Sequence, residues 1–302
     1  MPIASRRQFL KASAAASAAF IAPGCSLFKG GPDGSQADNR LRFGLVTYLW
    51  GRNWDVPTLI ANCEKTDVLG VELRTTHDHG VERTLNTAER KEVRDRFEDS
   101  AVSLVGLGSN ERFCHPEPES LSAAMQATRE FIVLSHDVGG SGVKVKPNSF
   151  HDGVKHERTI EQIGTALNAL GPFAADHGQE LRLEVHGSCG KLPTIKAILD
   201  IASHPNVKLC WNSNQTDLIG KGLESNFNLV KDRFGHTAHV NELDTGKYPY
   251  DKLLELFVGM DYDGWVLLEA VTRPEGRTDL LGDLVAQRKI FEELRAKAQA
   301  AI

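Results

Sequence analysis

The chain has 302 residues, with 35 Lys and Arg against 40 Asp and Glu, and a formal charge of -5. The signs are interspersed, so there is no basic field for a nucleic acid, and no Gly-rich phosphate turn follows the first apolar run. The cysteines are scattered without a CxxC pair, which excludes a zinc ribbon or a dense disulfide frame; isolated buried thiols are expected, with a single disulfide as the alternative in an oxidising compartment.

In chain order, "SRRQFLK" sets Arg6 and Arg7 before an Ala-rich apolar run from Ala12 to Ala22. A charged region, an apolar region and small residues in that order read as a twin-arginine export signal over 1–25. The run is shorter than the ~20 residues of a membrane span. Gly24-Cys25 offers a lipoprotein cleavage site, with Cys25 carrying the lipid. Residues 26–39, "SLFKGGPDGSQADN", read as a flexible tether. The expectation is an exported protein, periplasmic or anchored to the membrane through that lipid.

About 260 residues follow, a length typical of one α/β barrel. They alternate short apolar runs with longer amphipathic ones. The strand candidates are "RFGLVTYL", "LGVELR", "VSLVGLGSN", "GVKVKPN", "LRLEVHG", "VKLCWNSN", "TAHVNEL" and "GWVLLEA". Helix candidates lie between them; the sixth, "GLESNFNLVKDRFG", is read as ending on Gly235 as its C-cap. A last helix covers about 280–298. Eight such units predict a single parallel (β/α)8 barrel over 40–302, with a doubly wound sheet as the alternative.

Barrel chemistry sits at the C-terminal ends of the strands. Those tips hold Glu72 and Arg74, then His77 and His79; Ser109, Asn110 and Glu111; Lys144 and Lys146; Glu184 and His186; Asn212 and Asn214; His239, Asn241 and Glu242; and Glu269. A polar tip residue either caps the next helix or faces the lumen, where it must be paired or wet. Glu184 and Glu269 break apolar strands late and are the strongest candidates. Arg74, Lys144 and His186 suit a carboxylate or another oxyanion. Schiff-base formation is an alternative role for Lys144 or Lys146. Trp50, Trp54 and Trp211 lie near strand ends or loops, where a ring stacks on a sugar face or fills the core.

In this order, "GVELR", "LEVHG", "AHVNEL" and "LLEA" resemble the xylose-isomerase-like barrels of the sugar phosphate isomerase/epimerase family, over about Leu41 to Ala298. The resemblance implies a divalent metal at the barrel mouth (Mn, Mg, Zn or Co), held at positions that here are Glu184, Asn212, His239 and Glu269. It implies that Glu184 and Glu269 also act as catalytic acid and base beside a sugar carbonyl. Glu72, Arg74, Lys144, Lys146, His186, Asn214, Gln215 and Trp50 are the expected substrate-binding residues.

The strand-six tip departs from the pattern. Asn212 stands where an Asp is expected, and Gln215 where a His follows three residues on. An amide ligates only through a neutral oxygen, so metal affinity should fall. Amides also both donate and accept, which suits sugar hydroxyls. Three readings follow: a metal-assisted isomerase or epimerase of an unphosphorylated sugar or keto-sugar, a keto-glycoside lyase or hydratase, and a catalytically silent carbohydrate-binding barrel. An apurinic endonuclease of the same superfamily would need a His-rich zinc cluster and a basic face, which the acidic charge opposes.

Overall fold

Short strands rich in Val and Leu alternate with longer helices, and the strands close on themselves. A computed structural model describes residues 41–275 and 278–302. Arg6, Arg7, Cys25 and the 26–39 segment lie outside the described residues. The strands are β1 (Arg42–Val46), β2 (Gly70–Arg74), β3 (Ser103–Arg112), β4 (Gly142–Lys146), β5 (Glu180–Glu184), β6 (Val207–Asn212), β7 (Phe234–Val240) and β8 (Trp265–Leu268). All pair in parallel in sequence order, and β8 returns to β1 with Leu45 opposite Leu268. A helix follows each strand: α1 (Val56–Thr66), α2 (Thr87–Glu98), α3 (Pro118–Asp137), α4 (His156–Asp176), α5 (Leu192–Ile201), α6 (Leu223–Asn228), α7 (Tyr250–Gly259) and α8 (Leu280–Ala300). This is a (β/α)8 barrel, as the alternation predicts.

Local signals explain the helix starts. Asp55 accepts from Thr58 N at the head of α1 (2.9 Å), and Asn86 with Glu89 forms a capping box on α2. Each helix turns one apolar stripe inward; α7 buries Leu253, Leu254 and Phe257. Those stripes meet the outward side chains of the strands, such as Leu181, Leu183, Leu209 and Trp211, in one continuous core. A separate plug of Val46, Val105, Trp265 and Leu267 is also fully packed.

The expected sixth helix is shorter than its pattern. It ends at Asn228, a 3-10 turn covers Lys231–Arg233, and Gly235 lies inside β7 rather than capping a helix. Arg233 causes the switch. Its guanidinium donates to Leu199 O, Ala202 O and Val207 O at 2.7–2.8 Å and pins the chain at the barrel floor. Gly235 is then needed for space, since a Cβ there would lie 2.9 Å from Lys208 Cβ. Cys63, Cys114, Cys189 and Cys210 are buried free thiols.

Candidate active site at the barrel mouth

Strand parity assembles the site. Residues i and i+2 of a strand face the same side. Glu72 and Arg74, Lys144 and Lys146, Arg182 and Glu184, Cys210 and Asn212, and Thr237 and His239 are such pairs. His239 on β7 reaches Glu72 on β2, two strands that do not pair, so both side chains cross the lumen. Arg182 lies one step below Glu184, at the floor. Glycines at 106 and 142 leave room for it: a Cβ there would lie 2.9 Å from its Nη1 or 2.7 Å from its Cζ.

At mid-height the lumen holds a dense charge cluster. Lys144 Nζ lies 3.0 Å from Glu184 Oε2, and both side chains are 1% exposed. Asn212 Nδ2 donates to Glu184 Oε1 (2.8 Å) and to Glu269 Oε2 (3.2 Å). His239 Nδ1 stands 3.6 Å from Glu184 Oε1 and 3.5 Å from Glu269 Oε2. Its other nitrogen, Nε2, is 3.2 Å from Glu72 Oε1.

Burial alone would raise the Glu184 carboxyl, but Lys144, His239 and His186 hold it well below the usual range. Burial would lower His239, yet the Glu72 and Glu184 carboxylates push it well above its ordinary value; the Cys210 thiol beside it is itself pushed up by burial and stays neutral. Lys144 is likewise kept protonated, because Glu184, Glu269 and Glu72 outweigh its burial. A Schiff-base lysine needs an amine of depressed pKa, and the direction here is the opposite. Lys146, nearer the rim, is pulled down to about 8 by burial and then by repulsion from Lys144 and Arg74.

The structure brings Glu184, Asn212, His239, Glu269, Lys144 and Glu72 together, and redefines several expected substrate contacts. Glu72 is fully buried behind His239 and braces it, so it does not meet a substrate. A Cβ at Gly108 would lie 2.8 Å from Glu72 Oε1, so that glycine leaves space for the brace. Lys144 is engaged by Glu184 beneath the rim. Trp50 is 1% exposed, and its indole N–H donates to Thr272 O, so it offers no stacking face. Asn214 spends its amide donors on Val185 O (2.9 Å) and Asn212 O (2.8 Å); it shapes the lip rather than gripping a hydroxyl. Gln215 is exposed and donates to Lys247 O, tying the loop after β6 to the loop after β7. Arg74, Lys146 and His186 stay half-buried at the rim. Of the other aromatic candidates, Trp211 is core and packs on Phe227 and Phe234.

One rim contact escapes the sequence reading. Asn110 Oδ1 accepts from both Arg74 Nη2 (2.6 Å) and Lys146 Nζ (3.3 Å). The polar tip of β3 was the available signal, but only the barrel sets it between β2 and β4.

Glu184, His239 and Glu269 each offer one donor atom, all within 4.8 Å of one another. Donors bonded at about 2.1 Å to one ion stand about 3–3.5 Å apart, and the His239 contacts match that spacing. His239 Nδ1 is also a buried nitrogen with no well-angled hydrogen bond. A carboxylate on the far ring nitrogen is the usual support of a ligating histidine. These three residues therefore fit a divalent ion, which would take the place of a proton on Nδ1. Asn212 departs from the expected set, since its NH2 rather than its oxygen faces the two carboxylates.

A model of the xylose isomerase-like TIM barrel family matches residues 60–293. No curated protein matches the chain. Among solved structures, the chain is similar to D-psicose 3-epimerase from Clostridium cellulolyticum H10, crystallised with D-tagatose, at 13% identity and a TM-score of 0.72, covering 84% of this chain and 99% of the other. It is also similar to 3-keto-D-glucoside 4-epimerase, YcjR, from E. coli, at 13% identity and a TM-score of 0.70, covering 85% and 99%. The IOLI protein with a bound zinc atom matches at 15% identity and a TM-score of 0.70, covering 85% and 98%.

Proposed function

This chain belongs to the xylose isomerase-like TIM barrel family, and from that premise we propose that it is a sugar isomerase or epimerase that removes a proton beside a carbonyl of an unphosphorylated sugar or keto-sugar, with a divalent metal (Mn, Mg, Zn or Co). One observation carries the reading: Glu184, His239 and Glu269 converge within 4.8 Å at the C-terminal end of the barrel. Similarity to epimerases of ketoses and of a keto-glucoside supports the substrate class. Held by Glu184, His239 and Glu269, such an ion would polarise the carbonyl and favour the negative charge that develops on its oxygen.

The chain's own residues divide the remaining work. Glu269 is the more open carboxylate, 13% exposed against 1% for Glu184, and is the base that takes the carbon-bound proton. Glu184, held by Lys144 and Asn212, is the second carboxyl of the pair and returns a proton to the opposite face of the carbon in an epimerisation, whereas in an isomerisation Glu269 hands its own proton to the neighbouring carbon. Glu72 fixes the His239 ring. Loss of a leaving group after the same proton abstraction would make the enzyme a lyase or hydratase, so the first step is common to both outcomes. Export rests on Arg6 and Arg7 before the apolar run; the working site is then periplasmic, or held at the membrane through a lipid on Cys25.

A second reading, a silent carbohydrate-binding barrel, is favoured by Asn212, whose amide already donates to both carboxylates. Two measurements separate the readings. The first is metal content of the folded protein by elemental mass spectrometry; the second is deuterium uptake from D2O by a panel of keto-sugars. Near one metal per chain, lost in Glu269→Gln, together with uptake beside the carbonyl, is the expected result. Sugar binding without metal and without uptake would leave only the silent barrel.

A further inference from the structure

The charges at the mouth are not balanced everywhere. Deep in the lumen each cation has its carboxylate: Lys144 has Glu184, and His239 has Glu72. On the β2–β4 side of the rim, Arg74 and Lys146 instead share one neutral oxygen, Asn110 Oδ1. Among the described residues neither makes an ion pair with an acid; Arg74 otherwise donates only to Thr75 O and Thr75 Oγ1. Two histidines flank the pair, His77 in the field of Arg74 and His186 in the field of Lys146, and each buries an Nδ1 without a partner. Arginine and lysine have no acceptor to offer. A neutral sugar, whose hydroxyls give and take in equal measure, does not need two bare cations. An anion does.

We propose that the substrate carries a carboxylate seated on Arg74 and Lys146, so that the site acts on a keto-sugar acid. This deepens the isomerase reading and rests on it for the reacting carbonyl. The seat offers one donor to each oxygen, Arg74 Nη2 and Lys146 Nζ, displacing Asn110 Oδ1 from both. Because Arg74 Nη1 is taken by Thr75 O (2.8 Å), the seat matches a planar, singly charged carboxylate better than a phosphate, which presents three strong acceptors and nearly two charges. Lys146 stands two residues beyond Lys144 on the same face of β4, and Lys144 Nζ is 3.0 Å from Glu184 Oε2, so an acid held at the rim extends its sugar chain toward the carboxylate pair.

The test is calorimetric binding to the wild-type protein with Mn added, with the heat of any turnover measured separately and subtracted. The probes are D-fructuronate against D-fructose, D-tagaturonate against D-tagatose, and D-fructose 6-phosphate. The acids should bind about 10- to 100-fold more tightly than their neutral partners, the range expected of charge-assisted hydrogen bonds. Adding Arg74→Gln and Lys146→Gln should abolish the preference. So should Asn110→Asp, which supplies an internal carboxylate without removing either cation; a melting curve checks that each variant is folded. Equal binding of acids and neutral sugars, a preference that survives these substitutions, or tighter binding of the phosphate would each overturn the carboxylate seat. Deuterium uptake in the wild type separates this from the broader reading. Uptake by neutral sugars without acid preference sinks the seat and leaves the isomerase; acid binding through Arg74 and Lys146 without uptake does the reverse.

Discussion

The two ends of the barrel treat buried charge in opposite ways. At the floor, Arg182 is fully buried, yet its donors are used: Nε on Glu180 Oε2 (2.8 Å), Nη1 on Val105 O (3.2 Å) and Nη2 on Ser141 Oγ (2.8 Å). Glu180 Oε2 in turn accepts from His236 N (2.9 Å). At the mouth, Glu72, Lys144, Glu184 and His239 are equally buried but leave polar atoms without well-angled hydrogen bonds. Buried polar groups are normally satisfied, so a cluster of exceptions calls for an explanation. Floor charges hold the fold, whereas mouth charges await something the chain does not provide. This matches the division of labour in (β/α)8 barrels, with stability at the N-terminal face and chemistry at the C-terminal face.

Substitutions can break that contrast. The largest effect is expected from Glu269→Gln, which removes the base and a metal ligand together and should cut deuterium uptake into a turned-over keto-sugar by at least about 10²- to 10⁴-fold, the usual worth of a positioned acid or base alone, with little change in the melting temperature of the metal-free protein. A floor-like loss of stability there would erase the distinction.

Next is Asp217, behind the lip. Its carboxylate accepts from Asn214 N (2.8 Å) and the Tyr248 hydroxyl (3.0 Å), and burial pushes it up to about 7. A raised acid holds its proton in the fold but not in the unfolded chain, so stability is full below about 4 and falls as pH rises through about 7. At about 1.4 kcal/mol per unit the loss is on the order of 4 kcal/mol at most. Denaturation of Asp217→Asn at pH 5 and pH 8 should show that slope flattened; an unchanged slope would mean another group carries it.

Arg182→Met should cost on the order of 3 kcal/mol, because it strands a partly buried Glu180 and two other acceptors, and should lower the melting temperature by about 6–12 °C. Activity per folded molecule should hold. The finest effect concerns the metal. Glu72→Gln should weaken Mn or Zn binding by about 10- to 100-fold. Asn212→Asp should strengthen it by about 10-fold or more by restoring a charged ligand. Competition titrations read both, and movement in the same direction would contradict the roles given to these two side chains.

Much of this is legible in the amino-acid sequence. Alternating apolar runs and Gly, Asn and Asp punctuation place the eight strands, and late polar residues in "LRLEVH" and "VLLEA" mark Glu184 and Glu269. Gly235 misled because a glycine after an amphipathic run signals a helix end in one dimension, while the Arg233 contacts that start β7 involve carbonyls up to 34 residues away. Trp50, Glu72 and Asn214 lie near strand ends, where the fold engages Trp50 with Thr272, Glu72 with His239, and Asn214 with Val185 and Asn212. Position along a strand says which end a side chain occupies; it does not say how deep it sits or what crosses the lumen to meet it.

The sequence by itself determined the barrel and the order of its strands, because period-2 and period-3.6 patterns are local and repeat many times, and it singled out two glutamates late in apolar strands. Tertiary structure alone decided that Glu72 braces His239 from the opposite wall, that Lys144 is spent on Glu184, and that Arg74 and Lys146 share one amide oxygen with no acid paired to either among the described residues. Those facts depend on barrel closure, which brings residues of distant strands within a few ångströms at a depth no linear pattern encodes.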